Sequence, residues 1–361
     1  MSSDTTPDVP YRLTRVGTVM APEPGEPWEA EGVLNPAAGH TPDGRLHLLP
    51  RLVAAGNVSR IGLAEVVIVD GVPVGVNRRG VVLAPDEGWE RGADHGGVED
   101  PRVTFVARLG VHLMTYIAFG PLGPRIALAM SRDLTTWERL GPVLFAYQPG
   151  LDVDLNLYSN KDAVIFPEPI PSPGGVLSYA MLHRPTWDLS MNGFPTSVTH
   201  LPTGLTDERP GIWISYVPAE QVEADIRALV LLRDHRCVAL PEQTYESAKI
   251  GGGPPPLRVP EGWLLIHHGV QGEVASWFEP SLQGPLVYSA GAMLLDADDP
   301  SRVIARTSQP LLEPTTVEER YGTVSDVVFP TAIATIDGSD FVFYGMADTS
   351  IGVARLDRTQ P

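Results

Sequence analysis

One short module recurs five times along the 361 residues, and this recurrence constrains the fold more than any single residue does. Each copy opens on a compact polar or Gly/Pro-rich motif: NPAAG at Asn35, EDPRV at Glu99, KDAVIFP at Lys161, GGGPPP at Gly251 and SDVVFPT at Ser325. About 11 to 18 residues later follows a β-rich, partly aromatic run, in turn LHLLPRL, HLMTYIAF, YAMLHRP, WLLIHHGV and FVFYGMAD. Further short strand candidates lie behind several of these, such as IALAMS at Ile126, GAMLLD at Gly291 and IGVARL at Ile351. The runs repeat every ~65 to 85 residues, generous for a four-stranded unit but workable with long surface loops. A multi-strand unit repeated in this way predicts an all-β chain, a five-bladed β-propeller in one domain spanning 1–361. The inner ends of the blades would then bring motifs remote in sequence to one funnel.

Composition agrees with that class. Thirty-six Gly and thirty-six Pro imply many tight turns, which suit short antiparallel strands. Residues 1–25 are polar and Pro-rich and read as a poorly ordered arm or a strand that closes the ring. The best helical window is 217–234, with Val222, Ile226 and Val230 on a 3.6-residue period. The segments 135–140 and 298–307 read as turns at the blade edges. The connections 82–96, 185–210 and 271–286 are expected to line the funnel mouth.

A formal charge of −18 argues against a nucleic-acid partner, because phosphate backbones demand a basic track. No apolar stretch reaches the roughly 18–20 residues that span a bilayer. The N-terminus lacks the basic start and apolar core of a secretory signal, so a cytoplasmic location is the expectation. The single Cys237 permits no intrachain disulfide and reads as a bland thiol rather than a nucleophile.

Two groups of residues could carry chemistry. Glu99-Asp100-Pro101-Arg102 sets two acids beside a cation at the start of a strand, either a poised general acid or an ion pair that caps the strand. Lys161, Arg184, Lys249, His267 and His268 all lie in or beside an opener or its partner run. If those converge, so do the positive charges, and an anionic ligand follows. Gly251-Gly252-Gly253 is followed by prolines and not by Lys-Ser/Thr, which rules out a P-loop; the glycines read as room for close backbone approach. His267-His268 has no third ligand at metal spacing, so no metal site is expected.

Taken together, NPAA with Arg51 downstream, GVEDPRV, NKDAVIFPE, YAMLHRP, KIGGGPPP, GWLLIHHGV, YSAGAMLLD, YGTVSDVVFPT and YGMAD resemble glycoside hydrolase family 130, the β-mannoside phosphorylases and related mannosidases built on a five-bladed propeller. The resemblance implies an inverting phosphorylase that cleaves a short β-linked manno-oligosaccharide or mannosyl-glucose to α-mannose 1-phosphate, with inorganic phosphate as co-substrate and no cofactor. It implies that Asp100 is the proton donor, acting through the 3-hydroxyl of the mannosyl unit. Asn35, Arg51 and Asp348 would bind that unit, with Glu99, Arg102 and Arg184 as further substrate-binding residues; Arg184 is also a candidate for the phosphate. Lys161, Lys249, His268 and Tyr288 fall where the family holds phosphate. Assembly into a homo-oligomer is an expectation of the same origin. An inverting β-mannosidase of the same family and a non-catalytic glycan-binding propeller are the alternative readings. One departure stands out: Asn160-Lys161-Asp162 occupies a stretch where related phosphorylases carry Arg-Asn. A carboxylate at Asp162 beside a phosphate is awkward unless it pairs with Lys161.

Overall fold

The computed structural model describes residues 8–92, 95–188, 200–273 and 284–359. They form an all-β structure with only two short α-helices, Ala219–Ala224 and Val317–Arg320. Of the predicted mouth connections, 93–94, 189–199 and 274–283 lie outside the described residues, as do residues 1–7 of the N-terminal arm.

Each sequence module becomes an antiparallel meander, because runs such as LHLLPRL and FVFYGMAD are too short for helices and are bounded by turn formers. The first two meanders make one eight-stranded sheet: Gly32–His40, Leu46–Ala54, Val58–Val69 and Val72–Leu83, then Gly96–Val106, Val111–Gly120, Gly123–Ser131 and Glu138–Pro142. Only a two-residue parallel contact, Val58 and Ser59 against Gly96 and Gly97, joins the two halves. A six-stranded sheet follows, centred on Ser159–Ile165, Leu177–Thr186, Ile212–Pro218 and Leu231–Ala239, and then a five-stranded one with Lys249–Gly252, Gly262–Gln271, Val287–Leu295 and Val303–Arg306. In the last sheet Val328–Ile336, Ser339–Met346 and Ser350–Arg358 are completed by Tyr11–Met20 from the other end of the chain. Residues 11–20 of the predicted arm are therefore the outer strand of a sheet.

The apolar residues cluster between successive meanders. Leu49 and Ile61 pack with Met114 and Tyr116, Leu113 and Ile126 with Met181 and Trp213, and Leu182 and Ile214 with Trp263 and Leu265. Leu264 and Leu294 pack with Val342 and Leu356, and Val33 and Leu48 with Phe341 and Phe343, which joins the first meander to the last. Large side chains in close contact on both faces of each sheet supply the burial that holds the meanders together.

A buried ion pair accompanies four of the five meanders. Glu29, Glu90, Glu246 and Glu319 each sit in a turn just before a first strand and are almost fully buried. Each is gripped by two nitrogens of an arginine on the outermost strand of the same meander, respectively Arg78, Arg139, Arg306 and Arg15. Each glutamate also accepts a backbone N–H from its own turn, and each arginine also donates to a nearby backbone carbonyl. The fork geometry of guanidinium suits this bidentate role, and satisfying every lone pair is what makes burial of the pair tolerable. The third meander instead carries Asn156, which bonds both N–H and C=O of Phe145, and a relay from Asn160 through His183 and Ser215 to His235.

The window 217–234 is not one helix: Asp225 is extended (φ −149, ψ 111), its side chain caps Arg227 N–H, and a 3-10 turn at Ile226–Val230 leads into strand Leu231–Ala239. The 3.6-residue pattern came from Val222 facing one core and the following apolar residues packing around the bend. Segments 135–140 and 298–307 are more than turns, since the first runs into strand Glu138–Pro142, which carries Arg139, and the second contains strand Val303–Arg306, which carries Arg306.

Candidate active site

The first strands of the meanders face one another. Gly32–His40 packs on Gly96–Val106, that strand on Ser159–Ile165, that on Lys249–Gly252, and Val328–Ile336 returns to Gly32–His40. Where they meet, the openers place Asn35, Asp100, Asp162 and Asp326 in the left-handed region, with φ of 43, 48, 54 and 58. Asn and Asp tolerate that conformation better than other residues with a side chain. At the first three, the strand register slips on either side of the residue, between Leu34 and Ala37, Glu99 and Arg102, and Lys161 and Val164. A bulge of this kind re-aims side chains, and here Asn35, Asp100 and Asp162 all line one cavity of about 500 Å³.

One side of the cavity is organised around Asp100. Its Oδ1 accepts from Asn35 Nδ2 at 2.8 Å and from Arg51 Nη1 at 3.2 Å. Arg51 is held in turn by Glu99 at 2.9 Å and by Ser59 at 2.8 Å. Burial alone would favour the neutral acid, but the charges of Arg51, Lys161 and Arg102 and the bond from Asn35 outweigh it and hold the Asp100 carboxyl below its usual range. Asp348 behaves oppositely: burial pushes it up to about 6, Arg51 opposes the rise, and Asp100 and Glu99 add to it.

The other side is cationic. Arg184 Nε lies 2.6 Å from Asp162 Oδ2, and His268 Nε2 lies 3.6 Å from the same oxygen. His268 stacks on Tyr288 and packs against Phe329, and the ammonium of Lys249 lies 5.2 Å from the Tyr288 ring centre. Burial, reinforced by the charge of Arg184, drives Lys249 well below the usual ammonium range; burial does the same to the imidazole of His268. His268 Nδ1 has no hydrogen-bond partner among the described residues. The cations thus line a pocket whose full charge waits for a negative ligand.

Asn35, Arg51, Asp100, Lys161, Arg184, Lys249, His268, Tyr288 and Asp348 all line the cavity. Glu99 and Arg102 do not; they lie behind its wall. Glu99 bridges Arg51 and Lys161, the latter at 3.7 Å. Arg102 donates to the backbone oxygens of Asp100 and Gly253. Asp162 finds its partner in Arg184, not in Lys161, the pairing that would have eased its place beside a phosphate. The bulge sends the two neighbours apart, so Lys161 reaches Glu99 while Asp162 turns to Arg184. His267, beside His268, faces away and bonds Glu246 at 2.8 Å within the ion-pair cluster of the fourth meander. Burial pushes the Cys237 thiol up to about 11, the reverse of nucleophilic activation.

Gly251 owes its place to this packing, since a Cβ there would lie 2.3 Å from Asp162 Oδ2 and 2.4 Å from His268 Cε1. Phe329 and Asp326 also line the cavity and were not singled out from sequence, although the opener SDVVFPT contains both.

The family model described as β-1,4-mannooligosaccharide phosphorylase, glycoside hydrolase family 130, matches residues 5–360. The chain belongs to glycoside hydrolase family 130. Among family-130 relatives, a 1,2-β-oligomannan phosphorylase of Thermoanaerobacter sp. (strain X514) is 33% identical, with 94% of each chain covered. A β-1,2-mannobiose phosphorylase of the same organism is 31% identical, covering 96% of this chain and 98% of its own. The structure of β-1,2-mannobiose phosphorylase from Listeria innocua, in complex with β-1,2-mannobiose, superposes with a TM-score of 0.68 at 23% identity, covering 96% of both chains. At that identity the likeness concerns the fold.

Proposed function

We propose that this family-130 enzyme is an inverting phosphorylase that transfers the terminal mannosyl unit of a short β-1,2-linked mannoside to inorganic phosphate, yielding α-mannose 1-phosphate. The observation that carries this reading is the pairing, across one cavity, of a carboxylate wired to Asn35 and Arg51 with a pocket of Lys161, Arg184, Lys249 and His268. An inverting glycosidase needs a base to activate water opposite its acid; a cationic pocket suits a nucleophile that is already an anion. The β-1,2 linkage is drawn from the names of the two relatives that align along nearly their whole length.

In the reaction a phosphate oxygen attacks the anomeric carbon as the bond to the leaving oxygen breaks. The electron pair of that bond goes to the leaving oxygen, which takes a proton supplied by Asp100 through the 3-hydroxyl of the mannosyl unit. Asp100 is held ionised by the cations around it. Dianionic phosphate offsets those charges and raises the proton affinity of Asp100, which takes a proton from solvent before passing it on to the leaving oxygen. Asn35, Arg51 and Asp348 hold the sugar, and Lys161, Lys249, His268, Tyr288 and Arg184 the phosphate, with no other cofactor. The five meanders, cyclically packed through their apolar cores, are read as the blades of one five-bladed β-propeller. The enzyme acts on small molecules in the cytoplasm, without nucleic acid or membrane, and as a homo-oligomer. No helix among the described residues is long and apolar enough to cross a membrane.

Incubation with β-1,2-mannobiose, with and without phosphate, tests the reading. Phosphorus NMR is expected to show α-mannose 1-phosphate only when phosphate is present. Mannose release that ignores phosphate would favour hydrolysis instead, and no turnover of any β-mannoside would favour a binding protein.

A further inference from the structure

Asp162 places a carboxylate inside a pocket otherwise suited to an anion. The backbone does not demand the charge: at φ 54 an asparagine would be tolerated as well. The acid is nonetheless firmly held. Its Oδ2 lies 2.6 Å from Arg184 Nε and 3.6 Å from His268 Nε2, and its Oδ1 lies 3.8 Å from Arg102 Nη2, a nitrogen without a hydrogen-bond partner among the described residues. Gly251 leaves the space in which the carboxylate and the imidazole face each other. The side chain is 4% exposed, and it lines the cavity that Lys161, Lys249 and Tyr288 also line. Burial alone would neutralise it, but the charges of Arg184 and Arg102 keep it ionised, well below the usual carboxylate range.

An ionised carboxylate offers acceptors and no donor. A tetrahedral anion seated against it fares well only if it brings a proton of its own. Phosphate near neutral pH carries at least one P–OH, whereas sulfate carries none. We propose that Asp162 accepts a hydrogen bond from the P–OH of the attacking phosphate, and so selects protonated tetrahedral oxyanions, phosphate and arsenate, against sulfate. The same bond turns the protonated corner of phosphate away from the sugar and leaves an unprotonated oxygen to attack the anomeric carbon. A buried acceptor that one ligand satisfies and its analogue leaves facing lone pairs is a strong discriminator. The inference rests on the phosphorolysis reading, and the test separates the two.

Initial rates of β-1,2-mannobiose phosphorolysis by the full chain would be measured at fixed phosphate with rising sulfate, and with arsenate in place of phosphate. For the unaltered enzyme, arsenate is expected to support turnover, with sulfate competing at least tenfold more weakly than phosphate binds, the factor expected for a hydrogen bond to a charged group. Asp162→Asn supplies an amide N–H and is expected to strengthen sulfate inhibition relative to phosphate by about tenfold or more. Sulfate that competes with the unaltered enzyme as well as phosphate binds would overturn the inference, as would failure of arsenate. An unchanged sulfate-to-phosphate ratio in a folded Asp162→Asn would do the same. If that variant does not fold, the ratio for the unaltered enzyme decides. If no mannoside is phosphorolysed, the function reading fails, and calorimetric titration with phosphate and with sulfate tests the inference alone: phosphate bound and sulfate excluded supports it, and any other result overturns it.

Discussion

Asn35 Nδ2 donates to Asp100 Oδ1 at 2.8 Å, so the openers of the first two meanders meet as donor and acceptor across 65 residues of sequence. Both residues sit in left-handed bulges, and Gly345 must lack a side chain because a Cβ there would come within 2.2 Å of Asn35 Oδ1. The proposed acid is thus aimed by three separate meanders.

Asp100→Asn keeps the shape and the left-handed backbone but removes the proton. Its kcat for phosphorolysis is expected to fall by about 100- to 10,000-fold, the usual contribution of general acid catalysis, with some loss of thermal stability, limited because Glu99 still pairs with Arg51. Steady-state kinetics beside a melting curve checks both halves. Asn35→Ala, which removes one bond to the same carboxylate, is expected to lower kcat less.

Lys249→Ala is expected to raise the KM for phosphate by tenfold or more while moving the KM for mannoside much less, as loss of a charge-assisted contact implies. Burial lowers the proton affinity of Lys249 and His268, and an incoming anion raises it again. Phosphate binding is therefore expected to take up protons. Calorimetry in buffers of different ionisation enthalpy reads the number directly.

Asp348, pushed up to about 6, binds its proton more tightly in the folded chain than in the unfolded one, where the ordinary value is 3.8. Its contribution is complete below about 4 and is lost as pH rises through about 6. Across that window the stability of the unaltered protein is expected to fall relative to Asp348→Asn, by no more than about 3 kcal/mol. Melting temperatures of both proteins from pH 4 to 7 check the sign.

Glu246→Gln strips the charge from a buried pair and leaves buried Arg306 only the exposed Glu242, at 3.2 Å, as a counter-charge. Loss of about 3–5 kcal/mol is expected. Glu223→Gln, which breaks a pair with Arg108 on the exposed surface, is expected to cost far less. Urea titrations of the two variants measure the contrast.

Much was legible in the chain because it is local. A strand of alternating or continuous apolar residues between turn formers reads as a strand wherever it packs, so the meanders and their openers were visible, and most of the cavity-lining residues lie within them. The signal failed where two elements had to meet. Glu29 and Glu90 each stand 49 residues before their arginines, a regularity visible in the numbers, but Glu319 is paired with Arg15 from 304 residues away. Asp225 likewise broke the helix predicted over 217–234 by capping its own turn.

The five-fold recurrence by itself determined an all-β chain with Asn or Asp at four of its openers, because local propensity and turn chemistry act over a few residues. Only the tertiary structure decided where each side chain faces. A bulge of one residue carries Lys161 to Glu99 and Asp162 to Arg184, and a second one puts Glu99 and Arg102 behind the wall while Asp100 faces the cavity. Charge and burial depend on neighbours that sequence separates, so the roles of these residues appear only when the first strands come together.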